Sequence, residues 1–394
     1  MNSFTYHIPT EVVFGRDSET LTASLIQKYG GSRVLIVYGG GSAVRSGLIE
    51  KLETQLSEAG LAWEAMGGVH PNPYLEFARE GAKRAREKEA DFILAVGGGS
   101  VIDTCKAIAI GAANPDTDIW KFWTREETVT KSLPVGVVLT ISASGSEMSD
   151  SAVLTDMESG VKRGLGTSFN RPVFAVLNPE LTYTLPSYQV ACGVADIMMH
   201  TMDRYFNPDT TNQLTDEIAE ALLRTTIHNG LTAVKNSHDY TAMSELMWCG
   251  SLSHNGLTGL GGKKDFAPHQ LGHELSARFD VAHGASLSAI WGSWARYVYK
   301  TDVNRFARFA ANVWGLRGSS EESAAIAGIH ATEEYFTSIG MPVNFVSLGI
   351  GVQPEEALRE MALGCTYQRT RKVGTFKVLD VEDIYEIYKA ANCG

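Results

Sequence analysis

Short apolar runs that end in glycine punctuate the first half of the chain. Arg33–Tyr38 (RVLIVY) stops at Gly39-Gly40-Gly41-Ser42, and Asp91–Val96 (DFILAV) stops at Gly97-Gly98-Gly99-Ser100. Val135–Ile141 and Val173–Leu177 are two more runs rich in β-branched residues. Helical periodicity fills the gaps, at 43–59, 74–89 and 101–112. Strands that are apolar throughout and alternate with helices predict an α/β domain with a parallel sheet covered on both faces. From Ser187 onward the β-branched runs fade. Helical spacing takes over at Thr215–His228, Tyr240–His254, Glu321–Ile339 and Pro354–Leu363. The pattern divides the chain near Pro186, into an α/β domain over 1–186 and an all-α domain over 187–394.

Composition narrows the class. The chain has 394 residues, enough for two or three domains, and 44% hydrophobic with 20% charged residues excludes wholesale disorder. Asp and Glu number 45 against 34 Lys and Arg, a net charge of −11. That balance argues against nucleic acid and against an anionic membrane surface as partners. Five scattered cysteines without a CxxC point to reduced thiols and a cytoplasmic protein. The first residues lack the pattern of a secretory signal, and no apolar run reaches the roughly 18 residues of a membrane span.

The two glycine turns carry the first chemical signal. Glycine lets backbone approach an anion, and the helix that follows offers free N–H groups and a positive dipole end. One such turn is equally well a bare strand-to-helix connection; two in one domain favour a dinucleotide. The spacing is not GxGxxG, and no GxxxxGK[ST] loop is present, which argues against a nucleoside triphosphatase. No acidic residue follows Tyr38 to meet a ribose 2′-hydroxyl. A 2′-phosphate would not be repelled there, which favours NADP, with NAD as the alternative.

The helical half carries the second signal. Asp196 and His200 are four apart, as are His269 and His273, and His283 precedes a glycine. Pairs four apart share a helix face. Taken singly each histidine is an ordinary core or surface residue; together, one carboxylate and several imidazoles suit a borderline divalent cation. A zinc peptidase is disfavoured because His269-Gln270-Leu271-Gly272-His273 has Gln where HExxH supplies its base. The Thr140–Glu147 run of small hydroxyl residues reads as a pocket wall or a plain polar loop, and Cys105 reads as structural.

These motifs resemble the iron-containing (group III) alcohol dehydrogenases. The resemblance is to the NADP-dependent butanol dehydrogenase and aldehyde reductase branch. It runs through PTEVVFG (9–15), VYGGGS (37–42), GGGSVIDTCKAIA (97–109), SASGSEM (142–148), LNPELTYTLP (177–186), GVADIMMHTMDRYF (193–206) and HQLGHEL with AHG (269–284). It implies a dehydroquinate synthase-like fold, with a Rossmann-like N-terminal domain and an all-helical C-terminal one. By position it makes Asp196, His200, His269 and His283 the metal ligands, and places His273 beside nicotinamide and substrate. It assigns Gly97, Gly98, Gly99 and Ser100 to the pyrophosphate and Gly39, Gly40 and Ser42 to the adenosine ribose. It sets Asp103 close to the cofactor and in the catalytic centre, Thr140 and Ser146 on the nicotinamide side, and Lys162 near the cofactor. Ser149 departs from the Asn common after SGSEM in that branch.

The implied reaction is reversible hydride transfer between NADP(H) and a primary aliphatic alcohol or aldehyde of butanol type. One divalent metal assists, Fe²⁺ or Zn²⁺, with Co²⁺ or Ni²⁺ also admitted by the donor set. A homodimer is implied as well. The same architecture also serves polyol dehydrogenases and NAD-dependent sugar-phosphate cyclases or lyases. The latter need cations for a phosphate, and the helical half offers mainly Lys263, Lys264 and Arg278 near the histidines.

Overall fold

A computed structural model describes residues 1–209 and 212–393. The chain forms two compact units, His7–Leu185 and Pro186–Gly394 together with Met1–Tyr6. The first six residues therefore group with the helices rather than with the α/β half, and the Asn2 amide donates to the Gly261 carbonyl at 3.1 Å.

The α/β unit is built on six parallel strands: β1 (Glu11–Phe14), β2 (Arg33–Tyr38), β3 (Ala62–Met66), β4 (Phe92–Gly97), β5 (Val135–Leu139) and β8 (Phe174–Leu177). Their order is β1-β8-β5-β4-β2-β3. All residues of β4 and β5 are buried, as expected of central strands covered on both faces. A separate antiparallel hairpin, β6 (Ser151–Asp156) and β7 (Val161–Gly166), follows β5. The chain leaves β2 for β3 on one side and then crosses to β4 on the other. The switch point thus lies between β2 and β4, with Tyr38 beside Val96 in register. Open α/β sheets bind ligands outside the carboxyl ends of strands at such a point. Both glycine turns stand there, one after each strand.

The helix expected over 43–59 is two, Ser42–Arg45 and Leu48–Glu58, because Gly47 adopts φ 75° and interrupts the spiral. The glycines at 97–99 open a helix over Gly99–Ala113.

In the helical unit, Ser187–Tyr205 is the central element; from Gly193 to Tyr205 every residue is buried. A helix buried all round is normally apolar all round. This one carries Asp196, His200, Asp203 and Arg204 inside. Helices Ala267–Phe279 and His283–Val298 pack nearby through glycines: a Cβ on Gly272 would sit 2.8 Å from Leu287 Cδ2, and one on Gly284 only 2.1 Å from the Cys192 carbonyl oxygen. Among the described residues no helix is long and apolar enough to cross a membrane.

Candidate active site

Four donors converge in the helical unit. Asp196 and His200 sit one turn apart on Ser187–Tyr205, and His200 Nε2 lies 3.4 Å from Asp196 Oδ1. His269, at the start of its helix, brings Nε2 to 3.8 Å from the same oxygen. His283, the first residue of the next helix, brings Nε2 to 3.7 Å. Asp196, His200 and His269 are buried, with ligand atoms all within 4.8 Å of one another. His283 is more open, its side chain 28% exposed. A tetrahedral cation with bonds of about 2.0–2.2 Å spaces its donors by about 3.4 Å, so these separations fit one metal ion.

Two further observations support the fit. Asp196 Oδ1 and His269 Nε2 are buried without a hydrogen-bond partner, an arrangement that is costly unless something else meets them. In addition, His269 Nδ1 is hydrogen-bonded to the buried carboxylate of Asp203. That contact fixes the ring and turns the Nε2 lone pair toward Asp196. Burial, aided by the neighbouring His254, His269, Arg204 and His283, holds His200 well below the usual histidine range and keeps it neutral, as a ligand must be. Burial alone would also lower His269, but the carboxylates of Asp203 and Asp196 outweigh it and raise the pKa.

His273 follows one turn after His269. Its ring centroid is 5.3 Å from that of His283 and 6.2 Å from that of His269. It stands beside the donor group, partly exposed.

In the α/β unit the two glycine turns differ in what they require. At Gly97, Gly98 and Gly99 a Cβ would lie 2.5 Å from Val101, 2.2 Å from Ile141 and 2.4 Å from Ser144 Oγ. Packing alone demands these glycines. The helix Gly99–Ala113 that they open has Ser100 in its first turn and Gly98 at its N-cap, where no side chain covers the helix end. Gly39 and Gly40 are different. A Cβ at Gly39 would make only ordinary contacts, one at Gly40 would touch nothing, and neither has a positive φ. Neither steric crowding of a Cβ nor a positive φ requires glycine at these two positions. Gly41 turns the chain at φ 103° into Ser42, which is exposed.

Thr140 follows β5 and its amide donates to the Gly97 carbonyl at 3.2 Å. Lys162 lies on β7 and donates to Asn72 Oδ1 at 2.9 Å. The hydroxyl of Ser146 is turned inward, donating to Asp103 Oδ1 at 2.6 Å and accepting from Lys106 at 2.8 Å. Asp103 uses its other oxygen on the Val153 amide, 2.8 Å away. Burial raises the Asp103 pKa against the opposing pull of Lys106 and these hydrogen bonds.

Sequence models of the iron-containing alcohol dehydrogenases match residues 9–179, and of the Fe-containing alcohol dehydrogenase C-terminal region residues 189–392. The chain belongs to the iron-containing alcohol dehydrogenase family. It is therefore an oxidoreductase. It is 40% identical over 391 residues to NADH-dependent butanol dehydrogenase A of Clostridium acetobutylicum, with 99% of each chain covered. It is 36% identical over 358 residues to the NADPH-dependent aldehyde reductase YqhD of Escherichia coli, covering 89% of this chain and 90% of that one. The crystal structure of NADH-dependent butanol dehydrogenase A from Thermotoga maritima superposes with a TM-score of 0.95 at 33% identity, covering 100% of this chain and 99% of that one.

Two residues beside the donor group and one in the α/β unit receive no role from the motifs. Asp203 lies seven positions after Asp196, two turns along the same helix face, and that spacing is the signal that finds it. His254 stacks on His200 with ring centroids 4.0 Å apart, although 54 positions separate them. Lys106, inside the glycine-turn motif, is buried and bound to the segment that follows β5.

Proposed function

We propose that this chain interconverts primary aliphatic alcohols and aldehydes of about butanol size with NADP(H), assisted by one divalent cation at Asp196, His200, His269 and His283. The convergence of three imidazole nitrogens on one buried carboxylate oxygen carries this reading. Fe²⁺ and Zn²⁺ both suit one carboxylate and three imidazoles, as do Co²⁺ and Ni²⁺. When bound, the metal supplies Lewis acidity to the substrate oxygen and NADP(H) supplies or accepts the hydride.

The chain's own residues do the rest. Asp203 holds the Nδ1 proton of His269, so that Nε2 remains a donor. His273, beside the donor group and partly open, takes the alcohol proton on a ring nitrogen and returns it in the reverse direction. The N-terminus of the helix at Gly99 receives the pyrophosphate, flanked by Gly97, Gly98 and Ser100. Gly39, Gly40 and Ser42 border the adenosine ribose, with Thr140, Ser146, Asp103 and Lys162 on the cofactor's flank. The relatives' names divide between NADH and NADPH, so the preference for NADP rests on this chain: Gly39 and Gly40 leave room and put no carboxylate before a 2′-phosphate. Five free cysteines support a cytoplasmic setting, and the family resemblance supports a homodimer.

The paired substitutions His269→Ala and His273→Ala test the assignment. The first should remove metal and turnover together; the second should keep stoichiometric metal and lose turnover. A His269→Ala protein that retains both, or a His273→Ala protein without metal, overturns the division of roles.

A further inference from the structure

Lys106 is among the most deeply buried cations of the α/β unit, and nothing in the reaction above employs it. It lies two turns into the helix Gly99–Ala113, with 1% of its surface exposed. Its ammonium donates to the Ser146 carbonyl (2.8 Å), the Ser146 hydroxyl (2.8 Å), the Ser151 carbonyl (2.7 Å) and, at longer range, the Ser149 carbonyl (3.3 Å). One turn earlier on the same helix, Asp103 accepts from the Ser146 hydroxyl and the Val153 amide. Two charged side chains of one helix thus grip the backbone from 146 to 153. The segment just before it is the wall of the glycine turn: Ile141 and Ser144 occupy the space where Gly98 and Gly99 would carry a Cβ.

We propose that Lys106 is a positioning residue for nucleotide binding, whose ammonium clamps the 146–151 segment and so fixes the wall beside the first turn of the helix Gly99–Ala113. This rests on the reading of that turn as the pyrophosphate site. A buried ammonium is costly, and an apolar side chain of similar length would fill the space without that cost. What the ammonium adds is directed hydrogen bonding to several carbonyls at once, each of the stronger, charge-assisted kind.

The clamp has a pH signature. Burial lowers the Lys106 pKa to about 8, against the opposing influence of Asp103 on its own helix and of Glu147 and Asp150 on the segment it holds; Arg171, ahead of β8, adds to the lowering. An ammonium has three N–H donors and an amine two, so the grip loosens as pH rises through that value.

NADPH binding to the full-length protein, followed by nucleotide fluorescence from pH 6.5 to 9.5, tests this for the unaltered chain, Lys106→Met and Ser146→Ala. The unaltered protein should weaken by about tenfold across the range, the size expected for losing charge-assisted hydrogen bonds. Lys106→Met should bind about tenfold more weakly at pH 7 and show no pH dependence, with kcat at saturating NADPH changed far less than KM. Ser146→Ala should weaken binding yet keep the pH dependence, because the ammonium remains. Amide exchange over 142–151 should quicken in Lys106→Met and not elsewhere in the unit. Equal NADPH affinity in Lys106→Met and the unaltered protein overturns the proposal. So does an affinity of the unaltered protein that is flat with pH, which decides the matter even if Lys106→Met does not fold. An unaltered protein that binds neither NADPH nor NADH overturns instead the nucleotide reading on which the proposal rests.

Discussion

Gly284→Ala probes how the packing of two helices shapes the proposed metal site. The added Cβ would sit 2.1 Å from the Cys192 carbonyl oxygen and 2.7 Å from its carbon. Both are backbone atoms and cannot rotate away, so the helices His283–Val298 and Ser187–Tyr205 must part by about 1 Å to restore ordinary contact. One helix begins with His283, while the other carries Asp196, now 3.7 Å from His283 Nε2. Metal bonds tolerate about 0.2 Å, so a displacement of that size takes His283 out of reach while Asp196, His200 and His269 stay together. Metal affinity should fall by at least 10–100-fold, the usual effect of displacing the support of a ligand. Overpacking should also cost about 1–3 kcal/mol of stability. Competition with a chromophoric chelator measures the first, and urea unfolding of the metal-free protein measures the second. A Gly284→Ala protein that holds its metal as tightly as the unaltered chain would refute this account of how His283 is positioned.

Three other outcomes are expected. Asp203→Asn should lower metal affinity by about 10–100-fold, since the amide cannot hold the His269 ring as the carboxylate does; chelator competition reads it, and an unchanged affinity denies Asp203 this role. Gly39→Asp fits sterically and should weaken NADPH more than NADH in fluorescence titrations; equal losses would mean that Gly39 is not beside the ribose. Burial raises the Glu274 pKa to about 7, against the pull of Arg371 and Arg278. Between the ordinary carboxylate value and that pH the unfolded chain ionises while the folded one keeps its proton, so stability declines as pH rises, by up to about 3 kcal/mol. Glu274→Gln should therefore unfold at higher urea than the unaltered chain at pH 8 and lose that advantage near pH 5; a difference independent of pH contradicts it.

The central strands were legible because burial on both faces makes them nearly continuous apolar runs, as in FILAVG and VGVVL. The edge strands were not. Glu11–Phe14 is four residues long, and Ala62–Met66 (AWEAM) is composed mainly of residues that favour helix, held in the sheet by its register with β2. The β6–β7 hairpin, whose turn ends at Gly160 with φ 67°, was likewise missed. At the site, the pair Asp196 and His200 could be read from spacing because both lie on one helix. That His269 and His283 meet them depends on close helix packing at Gly272 and Gly284, which no local pattern displays. The resemblance places Asp103 close to the cofactor and Ser146 in a segment on its nicotinamide side; the hydrogen bonds that the Ser146 hydroxyl and both Asp103 oxygens make with protein partners, including Lys106, are not legible in the motif. The spacing of Asp103 and Lys106 puts both on one side of the helix Gly99–Ala113 but does not show that the segment carrying Ser146 lies against it.

The most direct measurement is NADPH oxidation with butyraldehyde by metal-depleted protein, before and after Fe²⁺ or Zn²⁺ is returned, with NADH in parallel. Turnover that requires the metal and favours NADPH is the predicted result. Full activity without metal would contradict the role given to Asp196, His200, His269 and His283. Absence of turnover with either nucleotide, despite stoichiometric metal uptake, would contradict the proposed substrate.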